Sequence, residues 1–304
     1  MKKNAIYTII VGQADRYAHY CMPSIRAYAE ATDSELYVFT EEHMTPEYPT
    51  PHFLMFELMK HFGESEHERM LYIDADIIVH KGTPDIFKTF ESGFYMREGH
   101  TWDKLSKWTK ESLNINTDGA RDKYFSSGAL LADKDDVVKF NSFVKPPFVV
   151  GPWHGEMAHF NYFLLQSGID VKVMHPRWHF TRAWASGVRG GKSLQTADVD
   201  KFEDIYFMHY AVPGDKVDWI EGDFKTYGYL GYDEEPPESN VNAGVIVLST
   251  DQLQNTIQDK RLDVEDNVGE NIHIHYRNLR FDFTIRDFIE LAKACEQGLT
   301  RLYE

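Results

Sequence analysis

Cysteine is almost missing: two in 304 residues, Cys21 and Cys295, which excludes a disulfide scaffold. Both lie in helix-like apolar patterns and read as small buried hydrophobes. No apolar run approaches the length of a membrane span. The opening Met1–Ile6 runs straight into a strand pattern without a secretory h-region, so the expected compartment is the cytosol, a cytoplasmic setting. Cations are scarce as well, with 32 Lys and Arg against 48 Asp and Glu, a formal charge of −16. A field of that sign repels phosphate backbones and anionic lipid, which argues against nucleic acid and membrane surfaces as partners. It also repels a nucleotide diphosphate, so a site for one needs a local cation. Internal repeats and low-complexity tracts are absent.

What remains is an ordinary folded composition, 42% hydrophobic and 26% charged, long enough for one large domain or a domain with a small appendage. Aromatics reach 14%, a density that suits sugar faces and base stacking as well as a core.

Ala5–Val11 is a β-branched apolar run ending at Gly12 and reads as a buried strand. A helical pattern from Tyr17 to Tyr28 follows, then a strand Leu36–Thr40, a helix Phe53–Phe62 and a strand Met70–Ile73. That alternation predicts an α/β fold with a doubly wound, mostly parallel sheet. Later strands are expected at Ala129–Ala132, Val171–Met174 and Ile205–Tyr210, with a helix over Glu156–Gln166. The acidic, Pro-paired stretch Asp233–Asn240 reads as a linker, giving a catalytic domain over 1–235 and a β/α appendage over 240–304. In the appendage a strand Val245–Leu248 and an alternating segment Ile272–Phe283 precede a helix from Thr284, which Asp287 helps to cap. Its apolar face, Ile285, Phe288, Ile289, Ala292, Cys295 and Leu299, must dock on the catalytic domain or on a second copy of the chain.

The sharpest motif is Leu71-Tyr72-Ile73-Asp74-Ala75-Asp76-Ile77-Ile78-Val79. Asp-x-Asp recurs at Asp133–Asp135 and Asp198–Asp200, but only the first pair lies at the carboxyl end of an apolar strand, where open α/β sheets bind ligands. At strand period two, Asp74 and Asp76 face one side with small Ala75 between them. Carboxylates so close repel each other unless a cation joins them. A pair of strand-end caps is the alternative.

Tyr-Ile-Asp-Ala-Asp-Ile-Ile-Val resembles the Asp-x-Asp signature of GT-A-fold glycosyltransferases, a Rossmann-like class, and most closely those of family 8 type. The resemblance spans about residues 5–220 and implies a divalent metal on Asp74 and Asp76, with Ala75 at the donor. It makes His209 a third ligand and Lys216, beyond Gly214, a diphosphate contact. An imidazole among carboxylates favours Mn²⁺, with Mg²⁺ the second choice. Tyr124–Gly128 resembles the family's Phe-Asn-Ser-Gly turn near the donor sugar, with Ser126 in place of Asn and Ser127 beside it. Glu156 and Asn161 match an acid and an asparagine near the reacting sugar, although the intervening Gln is Met157. Val11, Gly12 and Tyr17 take the positions that hold base and ribose. Helix capping and core packing are the alternatives for Glu156 and Tyr17.

Three weaker signals complete the reading. Ser186–Ser193 lacks the first Gly of a Walker loop and follows no apolar strand. His273 and His275 share one strand face without further ligands. Trp153-His154 and Trp178-His179 could line an acceptor cleft, and buried aromatics explain them equally well. The sequence therefore implies a metal-dependent, retaining hexosyltransferase with a nucleotide-sugar donor, UDP-hexose, and an unidentified acceptor. A sugar-nucleotide pyrophosphorylase ranks second because Gly12–Arg16 lacks that class's Gly-rich basic loop. An inactive carbohydrate- or partner-binding relative ranks third.

Overall fold

In the computed structural model, β1 (Asn4–Ile9) lies parallel between β2 (Ser34–Phe39) and β3 (Arg69–Ile73). Their apolar runs bury on both faces: Ala5 and Tyr7 join one core cluster, and Ile6 joins the other. Two-sided burial is what a parallel sheet requires, because each crossover returns over a face. Helix α1 (Ala14–Ala31) covers one face with Ala18, Met22, Ile25 and Tyr28. Helix α2 (Leu54–Glu64) covers the other with Leu54, Leu58, Met59 and Phe62. The structure describes residues 2–99 (apart from 13, 46 and 49), 124–148, 156–182, 204–211, 216–227, 246–252, 261–267, 271–276, 279–284 and 287–295.

Downstream come β4 (Ile77–Val79), α3 (Ile86–Thr89), β5 (Phe94–Glu98), β6 (Phe125–Asp133) and α4 (Lys134–Asn141). Then follow α5 (Glu156–Ser167), β7 (Val171–Val173), β8 (Phe180–Thr181), β9 (Phe207–His209) and α6 (Lys216–Tyr227). The main sheet has the order β2-β1-β3-β6-β5-β7. It is mostly parallel, as expected, with β6 alone reversed between β3 and β5. The 205–210 strand leaves this sheet. As β9 it pairs antiparallel with β4 and parallel with β8, so a small second sheet carries its residues.

The discounted pair Asp133 and Asp135 is structural. Asp133 takes Arg69 Nε at 2.7 Å and the Gly93 N–H at 2.7 Å, while Asp135 stands in the first turn of α4.

The chain divides into two compact units, Met1–Pro237 and Glu238–Glu304. In the second, β10 (Ile246–Gln252), β11 (Arg261–Asn267), β12 (Asn271–Tyr276) and β13 (Leu279–Phe283) form an antiparallel sheet in sequence order. The alternating segment 272–283 is thus two paired strands rather than one. A helix over 287–295 follows, its start capped by Thr284 Oγ1 accepting the Asp287 N–H at 3.1 Å. Cys21 is buried as expected, but Cys295 is exposed. Helical spacing assigns residues to a face; it does not supply an element to cover that face. No helix among the described residues is long and apolar enough to cross a membrane.

Candidate metal centre

Between the end of β3 at Ile73 and the start of β4 at Ile77 the chain makes a turn, closed by the Ile77 N–H donating to the Asp74 carbonyl at 3.0 Å. Asp74 and Asp76 are therefore turn residues, which corrects the strand-period argument for their shared direction. Anchors from outside hold the turn. The Asp74 N–H donates to the Gly128 carbonyl at 2.8 Å, and the Tyr210 N–H donates to the Asp76 carbonyl at 2.9 Å.

His209 reaches the turn because β9 pairs with β4 in a register that sets His209 opposite Ile77. Its Nε2 lies 3.2 Å from Asp76 Oδ1 and 3.6 Å from Asp74 Oδ2. Lys216 opens α6 and places Nζ 2.7 Å from Asp76 Oδ2 and 4.8 Å from the centre of the Tyr17 ring. The Tyr72 hydroxyl donates to Asp74 Oδ1. Among the described residues, Asp74, Asp76 and His209 form a group whose ligand atoms all lie within 4.8 Å of one another.

Beneath them is Gly128, within β6. A Cβ there would stand 2.7 Å from His209 Cε1, 2.8 Å from Asp74 Oδ2 and 2.9 Å from His179 Nε2. The glycine leaves room for these side chains to converge.

The charges are those of a cation site. Burial, then the neighbouring Asp76, raises the Asp74 carboxyl to about 6, against the pull of His209, Tyr72 and Lys216. Burial pushes Asp76 the same way, but His209 and Lys216 outweigh it and hold that carboxyl far below its usual range. Lys216 would lose its proton more easily through burial, yet Asp76 keeps it firmly ammonium. Two carboxylates and an imidazole form a donor set that fits a divalent cation.

Glu156 starts α5 beside this group. Its Oε2 is enclosed, without a hydrogen-bond partner among the described residues. Burial first and Asp74 second raise the carboxyl to about 8, while hydrogen bonds from the Met157 and Glu156 N–H groups and from Ser127 oppose the rise. Ser126 is half-buried and Ser127 buried at the head of β6. The Asn161 amide is spent on backbone. Its Oδ1 accepts the Phe125 N–H at 2.8 Å, and its Nδ2 donates to the Phe125 carbonyl at 2.8 Å and the Met157 carbonyl at 2.9 Å. Asn161 thus fixes the strand that carries Ser126, Ser127 and Gly128.

Val11 is half-buried past the end of β1, and Gly12 follows at φ 62°, a conformation few other residues adopt. The Gly12 N–H donates to Glu41 Oε1 at 2.8 Å. Ala75 is buried in the turn. Gly214, Trp153-His154, Ser186–Ser193 and the linker 233–240 lie outside the described residues. Trp178 and His179 are buried, the second of the two readings open to them. Gly128, expected as the end of a turn near the donor sugar, lies instead within β6 under Asp74 and His209; sequence reasoning missed Tyr72, Glu41 and the role of His179. Of these only Tyr72 carried a signal, its place two residues before Asp74.

No family model matches the chain, and no curated protein matches it. Solved structures do. A glycosyltransferase involved in glycosylation of the major capsid of PBCV-1 is similar at 14% identity and TM-score 0.45, over 72% of this chain and 98% of that one. The galactosyltransferase LgtC, solved with donor and acceptor sugar analogues, is similar at 15% identity and TM-score 0.43, over 76% and 98%. Mouse xyloside xylosyltransferase 1 is similar at 10% identity and TM-score 0.41, over 68% and 98%. Likenesses this distant leave the reading of the site to its own residues.

Proposed function

We propose that this chain is a metal-dependent glycosyltransferase of GT-A type, transferring a hexose from a nucleotide sugar, UDP-hexose, to an acceptor with retention of configuration. One observation carries the reading: Asp74 and Asp76 from the β3–β4 turn, His209 from β9 and Lys216 from α6 converge over Gly128. An acidic chain does not gather two carboxylates and an imidazole at a buried point without a use for the charge.

Asp74, Asp76 and His209 would hold Mn²⁺. Bound there, the ion neutralises the donor diphosphate and stabilises the leaving nucleotide. Lys216 would add a second positive charge next to it, as a contact for the diphosphate. Val11, Gly12 and Tyr17 would hold base and ribose, as the family resemblance implies, and Ser126 and Ser127 would offer hydroxyls to the sugar. With burial and Asp74 raising its carboxyl to about 8, Glu156 would hold a proton at neutral pH and offer it to the sugar, and would not act as an anionic nucleophile in that state. Asn161 supports these groups by holding β6. No separate base is needed at the acceptor hydroxyl, because the departing phosphate can take its proton. The sugar, the nucleotide and retention follow from the family resemblance.

The test is donor turnover. The protein is incubated with UDP-glucose, UDP-galactose, UDP-N-acetylglucosamine or GDP-mannose, with Mn²⁺ or with EDTA, and nucleotide release is measured. Slow Mn²⁺-dependent release from one UDP-hexose, lost in Asp76→Asn, supports the reading. Metal-independent release, or formation of a sugar nucleotide from UTP and a sugar phosphate, overturns it.

A further inference from the structure

A second histidine stands behind the metal centre. His179, the residue before β8, is wholly buried, and its Nε2 lies 2.7 Å from His209 Nδ1. The ring centroids are 4.9 Å apart at an interplanar angle of 31°. With the nitrogens so close and the centroids so far apart, the rings meet through their edges and do not stack.

A hydrogen bond between two ring nitrogens needs the proton on one and a lone pair on the other. His209 has two nitrogens, and the second, Nε2, faces Asp76 and Asp74. To serve as a ligand it must present a lone pair there, which puts the His209 proton on Nδ1 and requires an acceptor for it. His179 Nε2 is that acceptor.

Its position is built by neighbours. Arg97 Nη1 donates to the His179 carbonyl at 2.9 Å and to Thr181 Oγ1 at 2.7 Å, fixing the backbone on both sides of Phe180. Gly128 leaves the near side open, since a Cβ there would come within 2.9 Å of His179 Nε2. Among the described residues the other ring nitrogen, Nδ1, is buried and has no hydrogen-bond partner, so the contact with His209 is what orients the ring.

We infer that His179 is a positioning residue for the cation: it accepts the Nδ1 proton of His209 and thereby turns the His209 Nε2 lone pair toward Asp74 and Asp76. This rests on the reading of Asp74, Asp76 and His209 as metal ligands. Outer partners of this kind typically govern metal affinity by about 10–100-fold.

The experiment measures Mn²⁺ binding to the full chain without nucleotide, by electron paramagnetic resonance of the free ion. Wild type is compared with His179→Gln and His179→Leu, and thermal midpoints are recorded beside the affinities. A glutamine oxygen reaches the place of Nε2 and can accept the proton; leucine fills similar volume and cannot. The expected result is a loss of about 10–100-fold in His179→Leu, with His179→Gln within a few-fold of wild type. Should the leucine variant fail to fold, His179→Met carries the same comparison. Wild-type affinity in the leucine or methionine variant overturns the inference. Equal losses in the glutamine and apolar variants overturn it too, by making position 179 a packing site. Wild type that binds no Mn²⁺ sinks the metal centre itself, a failure distinct from either.

Discussion

Glu156→Gln removes a titrating group and keeps its shape, and the structure gives the sign of the effect and an upper bound on its size. The native carboxyl is held at about 8, against an ordinary 4.5, by burial and by Asp74. Between those values the folded chain binds a proton that the unfolded chain releases. Stability from this group is therefore complete below about pH 4.5 and is lost as pH rises through about 8. Each tenfold change in proton affinity is worth about 1.4 kcal/mol, so the upper bound is about 5 kcal/mol. Reorganisation around a half-buried side chain should leave about 2–3 kcal/mol of that. Urea denaturation of both proteins in EDTA at pH 5, 7 and 9 measures it. The glutamine variant should match wild type at pH 5 and exceed it by about 2–3 kcal/mol at pH 9. Mn²⁺ should narrow the gap, because it offsets the charge of Asp74. Stability curves that stay parallel from pH 5 to 9 would refute the reasoning, since they would mean that Glu156 ionises freely in the fold.

Gly128→Ala should cost at least about tenfold in Mn²⁺ affinity and about 1–3 kcal/mol in stability, because the new Cβ would lie within 2.9 Å of His209, Asp74 and His179; unchanged Mn²⁺ titration would deny the glycine its role. Lys216→Met should bind Mn²⁺ more tightly when no nucleotide is present, having lost the ammonium that sits 2.7 Å from Asp76. The same variant should bind UDP more weakly at saturating Mn²⁺, and calorimetry showing both shifts in one direction would contradict the account. Arg69→Met should destabilise the fold by about 3 kcal/mol in urea, since Arg69 serves Asp133 and the carbonyls of Phe87, Phe90 and Glu91 together. A loss below about 1 kcal/mol, the level of an exposed pair, would show the cluster to be solvated.

The parallel half of the sheet was legible because burial on both faces writes itself as continuous runs such as Ala5–Ile9 and Met70–Ile73. Asp74 and Asp76 were legible because such a run ends beside them. Strand direction was not: β6 has the same kind of apolar run as its neighbours, and nothing in Phe125–Asp133 records that it runs the other way. The second sheet escaped because nothing in the expected strand 205–210, which supplies β9, or in the run Ile77–Val79, which supplies β4, records which strands they pair with. His179 acts across space, on a residue that is distant in the chain, and no local pattern marks such a contact. Thr284 and Asp287 show the reverse case, a cap written within four residues and found as expected.

The central claim is that a cation joins Asp74, Asp76 and His209 to carry a diphosphate. Calorimetry of UDP binding, with and without Mn²⁺, on wild type and on Asp76→Asn tests it most directly. Saturable UDP binding that requires Mn²⁺ and disappears in Asp76→Asn is the predicted result. UDP binding of equal strength in EDTA, or undiminished in Asp76→Asn, would contradict it.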